Sequence, residues 1–163
     1  IGQFKKGEFK EEVIIKANLK YIEQSKYNNN ILFAFYNSFP RYAGPREALM
    51  HAIVRRNYGC SHFLVGRDHA GIDNYYSKYE SQNLCKKYEK KIKIKIINVK
   101  EPFICLSCKK IINQKCSCKK MIKKLISGTE IRKIILKGKI PSKNIFDKKV
   151  YDSITAVKDP IIK

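Results

Sequence analysis

Three short runs separated by helical patterns constrain the fold of this chain more than any other feature. Residues 31–36 and His62–Val65 are continuous apolar runs, and residues 91–97 alternate at first between lysine and isoleucine. Continuous runs are typical of strands buried on both faces, and alternation is typical of a strand with one wet face. Because helical spacing fills the gaps, residues 31–99 predict the order strand, helix, strand, helix, strand. This order predicts an α/β fold with a parallel sheet.

The helical patterns have recognisable boundaries. Apolar residues repeat at helical spacing over 11–23 and again over 79–90. A further helix is predicted to begin near Pro45, since proline is favoured in the first turn and Glu47 complements the helix dipole there. Gly59 is a suitable end for that helix.

The last part of the chain predicts a small, mainly helical region. Ser127 and Glu130 have the spacing of a capping box, in which each side chain bonds the backbone N–H of the other residue. Gly138 is a typical helix C-terminus, and Pro141 prevents the helix from continuing. One more short helix is expected within 145–157.

The length of the chain limits the number of domains that it can form. The 163 residues suit one domain, or one domain with a small appendage. We predict an α/β domain over 1–103, a metal-binding insertion over 104–122 and the helical region over 123–163. No run reaches the length of a membrane span and no secretory signal opens the chain, so we expect a cytoplasmic protein. Because the first residue is isoleucine, the chain is interpreted as a piece of a longer protein.

The charge balance is strongly basic. Thirty-five Lys and Arg residues against 14 Asp and Glu residues give a formal net charge of +21. Such a field attracts polyanions, nucleic acid among them. Most of the excess, however, is lysine spread along the whole chain, which is typical of compositional drift. The charge by itself therefore does not favour a dedicated nucleic-acid site.

Two loops that follow predicted strands carry the most reactive side chains. Ligands in α/β folds bind at the carboxyl ends of strands, so loops 39–46 and 66–71 are expected to face one crevice. In the second loop, Arg67 offers a planar cation to phosphate or sulfate, and His69 can donate a hydrogen bond to an oxyanion. A local ion pair between Arg67 and Asp68, with His69 capping a turn, is an equally acceptable interpretation.

The first loop is similar in kind. Gly44 and Pro45 shape its turn, and Arg41 or Arg46 can reach an anion at the N-terminus of the following helix. From these residues alone, an ordinary helix start with exposed arginines is the favoured interpretation. His51, farther along this helix, is interpreted as a packing residue and receives no functional role.

Cysteines are concentrated in one segment. Four of the six form the pattern Cys105-x2-Cys108-x7-Cys116-x-Cys118. Four thiolates can close a tetrahedral structural Zn²⁺ site, which leaves no position for a catalytic water. A secreted disulfide framework would spread its cysteines more evenly. The pattern therefore predicts a zinc knuckle, and free cysteines are the alternative.

Beyond these local arguments, three stretches together resemble the core of the ATP sulfurylase (sulfate adenylyltransferase) family. They are RYAGPREA over 41–48, HA over 51–52 and RNYGCSHFLVGRDHAG over 56–71. The similarity extends to Tyr75, Tyr76 and Tyr79, into the Cys-x2-Cys segment and through SGTEIR over 127–132. The opening residues 1–7 also resemble the family, so that most of the chain is covered.

The resemblance implies that 1–103 is part of a Rossmann-like nucleotidyltransferase domain. It implies an enzyme that joins ATP and sulfate into adenosine 5′-phosphosulfate (APS) and pyrophosphate, or runs the reverse, by in-line attack of a sulfate oxygen on the α-phosphorus. Mg²⁺ would accompany the nucleotide, and the full-length protein is expected to be a homo-oligomer. The implied catalytic residues are Arg67 and His69, the implied ATP-binding residues are Gly66, Arg67, Asp68 and His69, and the backbone of Ala70 would bind sulfate.

The chain also departs from the family's pattern. The paired-histidine signature of the family is absent from these residues and is expected upstream, so we expect the segment alone to be inactive. Pro40 stands where the family usually has methionine, and Asp73 stands where glycine is common. Cys118 occupies a place that is histidine in many bacterial members, a substitution that zinc should accept. Two alternatives to the enzyme remain open: a zinc-knuckle module that binds nucleic acid, and a catalytically inactive relative that binds nucleotide.

Overall fold

The computed structural model describes residues 6–112, 116–126, 128–142 and 145–162. They belong to two compact units, one formed by Ile1–Phe39 with Pro102–Lys163 and the other by Pro40–Glu101. Within the part of the chain that the structure describes, no helix is long and apolar enough to cross a membrane.

Regular elements follow one another along both units. The helices are α1 (Glu11–Gln24), α2 (Pro45–Asn57), α3 (Glu80–Ile92), α4 (Gly128–Leu136) and α5 (Lys148–Thr155). The strands are β1 (His62–Val65), β2 (Lys95–Asn98), β3 (Phe103–Cys105), β4 (Ile111–Ile112) and β5 (Lys123–Leu125).

The unit Pro40–Glu101 is built around a parallel pair of strands. β1 and β2 run side by side from His62 opposite Lys95 to Val65 opposite Asn98, with α3 as the connection between them. This confirms the predicted mixed α/β architecture with a parallel sheet. Seven side chains form its buried core: Ala48, Ala52, Phe63, Val65, Cys85, Ile94 and Ile96.

The predicted strand over 31–36 is wrong. A single 3₁₀ turn at Asn28–Asn30 is followed by irregular backbone up to residue 43, and Leu32 is 92% exposed. Phe33 and Phe35 pack edge-to-face on each other, with ring centroids 5.2 Å apart. An apolar run makes burial favourable, but a strand also needs a neighbouring edge for its backbone N–H and C=O groups, and composition does not report that edge.

Two further details of the sheet differ from prediction. α3 continues to Ile92 and ends at Lys93, which has a left-handed backbone (φ 55°), so that β2 begins only at Lys95. The strand β1 was expected to be buried on both faces, yet Leu64 is 61% exposed while Phe63 and Val65 are buried. The described part of this unit therefore covers one face of the sheet.

The other unit contains a helical core. α1 packs against α5, and α4 adds Ile135 to the buried cluster, whose other members are Val13, Val150, Tyr151, Ile154 and Val157. The carboxylate of Asp147 caps α5 by accepting the backbone N–H of Lys149 at 2.8 Å. Gly138 follows α4 with φ 67°, as expected for a C-terminal glycine, whereas the capping residue Ser127 lies outside the described residues.

A small antiparallel sheet was not predicted. β3 lies between β4 and β5, with Phe103 opposite both Ile112 and Leu125. Phe103 and Cys105 are buried. The segment 104–122, which the sequence analysis treated as an insertion, therefore shares a sheet with residues on both of its flanks.

Candidate functional site

The two loops singled out from the sequence meet in the structure. The backbone N–H of Gly44 donates a hydrogen bond to the carbonyl oxygen of Ala70 at 2.9 Å. The second loop turns sharply directly after β1, since both Asp68 (φ 49°) and Ala70 (φ 58°) have left-handed backbones. The loops 40–46 and 66–71 therefore form one structure at the carboxyl end of β1.

Close packing explains two glycines of these loops. A Cβ atom at Gly44 would overlap the ring of Tyr76, and Gly44 also has a positive φ of 51°. A Cβ atom at Gly71 would overlap the carboxylate of Asp68, whereas one at Gly66 would meet open space. Gly44 is thus required by the turn itself, a side chain at Gly71 would displace the Asp68 carboxylate, and Gly66 leaves the end of β1 accessible.

Glu47 lies in the first turn of α2 as predicted, and it has a further role. Its carboxylate is buried, with the residue 4% exposed, and accepts the backbone N–H of Arg41 at 3.0 Å and that of Ala43 at 2.9 Å. A buried carboxylate is stable only when such donors compensate for the lost water. Glu47 therefore anchors the loop in front of α2, in addition to lying in its first turn.

Two histidines form a contact that the sequence analysis missed. Nδ1 of His51 lies 3.2 Å from Nε2 of His69, and Nε2 of His51 lies 3.7 Å from the Glu47 carboxylate. Residues 47 and 51 are four apart on α2 and thus share a helix face, so this spacing could have predicted the contact between Glu47 and His51. The partner in another loop could not be read from that spacing.

Both histidines are held in the neutral form. Burial, followed by the nearby positive charge of Arg55, lowers the pKa of His51, and Glu47 opposes these effects. Burial, followed by His51 and Arg55, lowers the pKa of His69. Their imidazoles are therefore uncharged at neutral pH.

Arg67 lies at the end of β1 and is accessible. Its Nε is 3.2 Å from a carboxylate oxygen of Glu101, and its side chain is 42% exposed. The ion-pair interpretation of the sequence named Asp68 as the partner, and the structure places Glu101 there. A ligand anion would have to compete with Glu101 for this guanidinium.

Gln82 is a second residue that sequence reasoning missed. Its buried side-chain amide donates to the carbonyl oxygens of Val65 at 2.9 Å and Val99 at 2.8 Å, and thereby joins the last residue of β1 and the residue after β2 to α3. Its neighbour Ser81 donates from Oγ to the carbonyl oxygen of His69 at 2.9 Å. The first turn of α3 thus supports the loop that carries His69.

A cavity of about 710 Å³ lies beside the first loop. Arg46 and Lys87 give its lining positive charge, and Tyr75 and Tyr76 give it aromatic surface. Arg67 and His69 are not among the lining residues. The cavity thus takes in part of the loop 40–46, but not the two side chains that were expected to share a crevice with it.

The four clustered cysteines converge as the spacing predicts. The sulfurs of Cys105, Cys108, Cys116 and Cys118 all lie within 4.8 Å of one another, so that the cluster can hold a metal ion. Tetrahedral ligation with metal–sulfur bonds of 2.3 Å requires sulfurs about 3.8 Å apart. The distances of 3.9 Å from Cys105 to Cys118 and 3.5 Å from Cys108 to Cys116 are close to that value, whereas the sulfurs of Cys116 and Cys118, only two residues apart, lie 3.2 Å from each other and would have to separate on metal binding.

The pKa values of two of these thiols are shifted in opposite directions. Hydrogen bonds from the backbone N–H groups of Cys108 and Ser107 lower the pKa of Cys105 to about 6. Hydrogen bonds with Cys116 and Cys108 raise the pKa of Cys118 to about 12. Backbone donors aimed at a sulfur stabilise the thiolate, which is the form that binds metal.

Lysines flank the four-cysteine cluster (Cys105, Cys108, Cys116 and Cys118, the predicted zinc knuckle) along the sequence. Residues 102–126 contain no acidic residue, and six described lysines flank the cysteines: Lys109, Lys110, Lys119, Lys120, Lys123 and Lys124. All six are exposed.

Comparison with known proteins decides the family. The ATP-sulfurylase family model matches residues 1–157. The chain is 40% identical over 163 residues to a sulfate adenylyltransferase of Ignicoccus hospitalis, covering 99% of this chain and 42% of that protein. It is 38% identical over 164 residues to a sulfate adenylyltransferase of Thermococcus onnurineus, covering 100% of this chain and 43% of that protein. The chain belongs to the ATP-sulfurylase family.

Membership of the ATP-sulfurylase family extends over both compact units. The chain spans less than half the length of these two relatives. A hexameric APS kinase from Thiobacillus denitrificans has a similar fold, with a TM-score of 0.62 at 19% identity, over 91% of this chain and 27% of that one. At that identity the likeness concerns the fold alone.

Proposed function

We propose that this chain is part of a sulfate adenylyltransferase, which converts ATP and sulfate to APS and pyrophosphate or runs the reverse. One observation carries the proposal: the two motif loops of an ATP-sulfurylase family chain are joined by the Gly44 to Ala70 hydrogen bond at the carboxyl end of β1. Ligands of parallel α/β sheets bind at that end. The partners are ATP, sulfate, APS and pyrophosphate, and Mg²⁺ enters with the nucleotide as the counter-ion of its phosphates.

The reaction needs positioning and charge compensation more than side-chain chemistry. A sulfate oxygen attacks the α-phosphorus in line, the new S–O–P bridge forms, and the bond to the leaving pyrophosphate breaks. Negative charge builds on the departing oxygen, which a guanidinium stabilises. We assign that contact to Arg67, which exchanges Glu101 for the phosphates. Gly66, Asp68 and His69 contact ATP, and Ala70 offers its backbone to sulfate.

Structural zinc is proposed for the four-cysteine cluster, because its sulfur spacing fits tetrahedral ligation. Zinc supplies no reaction step there, since four protein ligands leave no open position. Closely spaced thiols that must stay reduced also favour a cytoplasmic location. We further propose that the whole protein is a homo-oligomer, as the resemblance to the family implies.

The catalytic assignment is tested in the whole protein by the variant Arg67→Ala. The measurement is pyrophosphate release from ATP and sulfate. Loss of one charge-stabilising donor is expected to lower kcat on the order of 100-fold. Arg56→Ala is the matched control, because Arg56 is an exposed arginine at the end of α2. Unchanged pyrophosphate release in Arg67→Ala would refute the assignment.

One observation favours a second function, nucleic-acid binding by the knuckle: the acid-free segment 102–126 with its exposed lysines. The proposed enzyme predicts only weak, sequence-independent binding of single-stranded RNA that is lost as salt is raised. Tight binding that disappears when the metal is removed would support the second function.

A further inference from the structure

His51 connects the two motif loops through side chains. It lies on α2, where Nε2 faces the Glu47 carboxylate at 3.7 Å and Nδ1 faces Nε2 of His69 at 3.2 Å. Glu47 itself accepts the backbone N–H groups of Arg41 and Ala43, and His69 offers its carbonyl oxygen to Ser81. A continuous chain of polar contacts thus runs from the first loop to the second.

The hydrogen positions in this chain follow from electrostatics. Two neutral imidazoles that face each other share one hydrogen, so that one ring donates and the other accepts. A carboxylate 3.7 Å away attracts an N–H at Nε2 of His51 and repels a lone pair there. Nδ1 of His51 is then the acceptor, and Nε2 of His69 is the donor.

We propose that His51 is a positioning residue that fixes the tautomer of His69, with the hydrogen on Nε2 and the lone pair on Nδ1. The sequence predicts His69 as a donor to an oxyanion, and this tautomer makes its free nitrogen an acceptor instead. Neutral His69 accepts at Nδ1, and it receives a hydrogen bond from a hydroxyl group or a water molecule instead of donating one to phosphate or sulfate. The role of His69 Nδ1 as an acceptor in the active site rests on the proposed function, whereas the assignment of the tautomer does not.

The tautomer is measured directly by long-range ¹H–¹⁵N NMR of the whole protein labelled in histidine. His69→Gln identifies the His69 signals by their disappearance, and His62→Gln, which replaces an exposed histidine outside the contact, is the control. Wild-type His69 is expected to show an N–H-type shift at Nε2 and a lone-pair-type shift at Nδ1. An N–H-type shift at Nδ1 of wild-type His69 would overturn the proposal without any variant.

Two substitutions at position 51 separate positioning from packing. In His51→Gln the side-chain amide can accept from His69 and face Glu47, so the His69 shifts are expected to stay unchanged. In His51→Leu the acceptor is lost, and the His69 nitrogens are expected to move toward the averaged shifts of a mixed tautomer. Unchanged shifts in a folded His51→Leu variant would contradict the proposal. APS synthesis by wild type is scored separately: a fixed tautomer in an inactive protein refutes the proposed function alone.

Discussion

At the scale of single residues, three hydrogen bonds to backbone N–H groups hold the two motif loops in place. The Glu47 carboxylate holds the backbone of Arg41 and Ala43, and the Gly44 N–H holds Ala70. These contacts leave little room for change. The same loops nevertheless contain one position, Gly66, that faces open space.

Glycine substitutions distinguish the constrained position from the open one. Gly44→Ala places a Cβ against the ring of Tyr76 at a position with positive φ, and is expected to destabilise the protein by about 1–3 kcal/mol, as overpacking does. Gly66→Ala is the matched control for stability and is expected to stay within about 0.5 kcal/mol of wild type. Urea unfolding followed by circular dichroism measures both. Equal unfolding midpoints for the two variants would contradict the assigned packing.

The histidine pair predicts a pH dependence of stability. The folded-state pKa values of His51 and His69 lie below the unfolded value of about 6.5, so protons bind the unfolded chain more readily. This contribution is fully present above about pH 6.5 and is lost as the pH falls toward the folded-state values. Thermal unfolding between about pH 7.5 and 5.5 measures it.

Two variants make that pH experiment specific. The double variant His51→Gln/His69→Gln is expected to flatten the fall in melting temperature over this range. His62→Gln, which replaces an exposed histidine, is expected to keep the wild-type slope. An unaltered slope in the double variant would show that other groups cause the acid sensitivity.

At the scale of elements, the carboxyl end of the parallel pair depends on α3 as much as on its own ladder. β1 and β2 are four residues long each, and the Gln82 amide bonds the carbonyl oxygens of Val65 and Val99 where the pairing ends. The two hydrogen bonds of the Gln82 amide help to stabilise the register of this short parallel pair, because each strand contributes few backbone hydrogen bonds of its own.

Replacing this amide tests its contribution. Gln82→Leu keeps the side chain similar in size but leaves buried carbonyl oxygens without that donor, which is expected to cost about 1–3 kcal/mol. Chemical denaturation measures the loss. Asn83→Leu is the control, since Asn83 is the exposed neighbour on the same helix. Equal stability of the two variants would show that the amide is dispensable.

At the scale of the whole molecule, the two compact units are stabilised in different ways. The unit Pro40–Glu101 buries a continuous apolar cluster beneath its sheet. The other unit has a helical cluster and, in addition, a small sheet whose short strands surround four sulfurs. Strands of two and three residues bury little apolar surface, so the sheet is expected to depend on bound metal.

Removal of metal is therefore expected to affect one part of the chain selectively. Purified protein should hold one Zn²⁺ per chain, and chelation should lower the melting temperature and expose 102–126 to protease before 40–101. Cys108→Ser should abolish zinc retention, whereas Cys60→Ser, which replaces an exposed cysteine outside the cluster, should keep it. Metal analysis and limited proteolysis measure these outcomes. Zinc retention by Cys108→Ser would refute the assigned ligand set.

Local signals in the sequence were sufficient to predict the positions of many helices and strands. Pro45 predicted the start of α2, His62–Val65 predicted β1, and Gly138 predicted the end of α4, because proline, short apolar runs and C-terminal glycines act over a few residues. The spacing of the four cysteines predicted their convergence for the same reason. The resemblance over 41–71 supplied the family, which local physics alone does not name.

These local signals did not predict contacts between residues that are far apart along the chain. Residues 31–36 have the composition of a strand but not the structure, because a strand depends on an edge elsewhere in the chain. Glu101 beside Arg67, His69 beside His51 and the Gln82 tie join residues between 17 and 34 positions apart. Such contacts are set by how the helices and loops pack, since only packing brings together groups that chain spacing keeps separate.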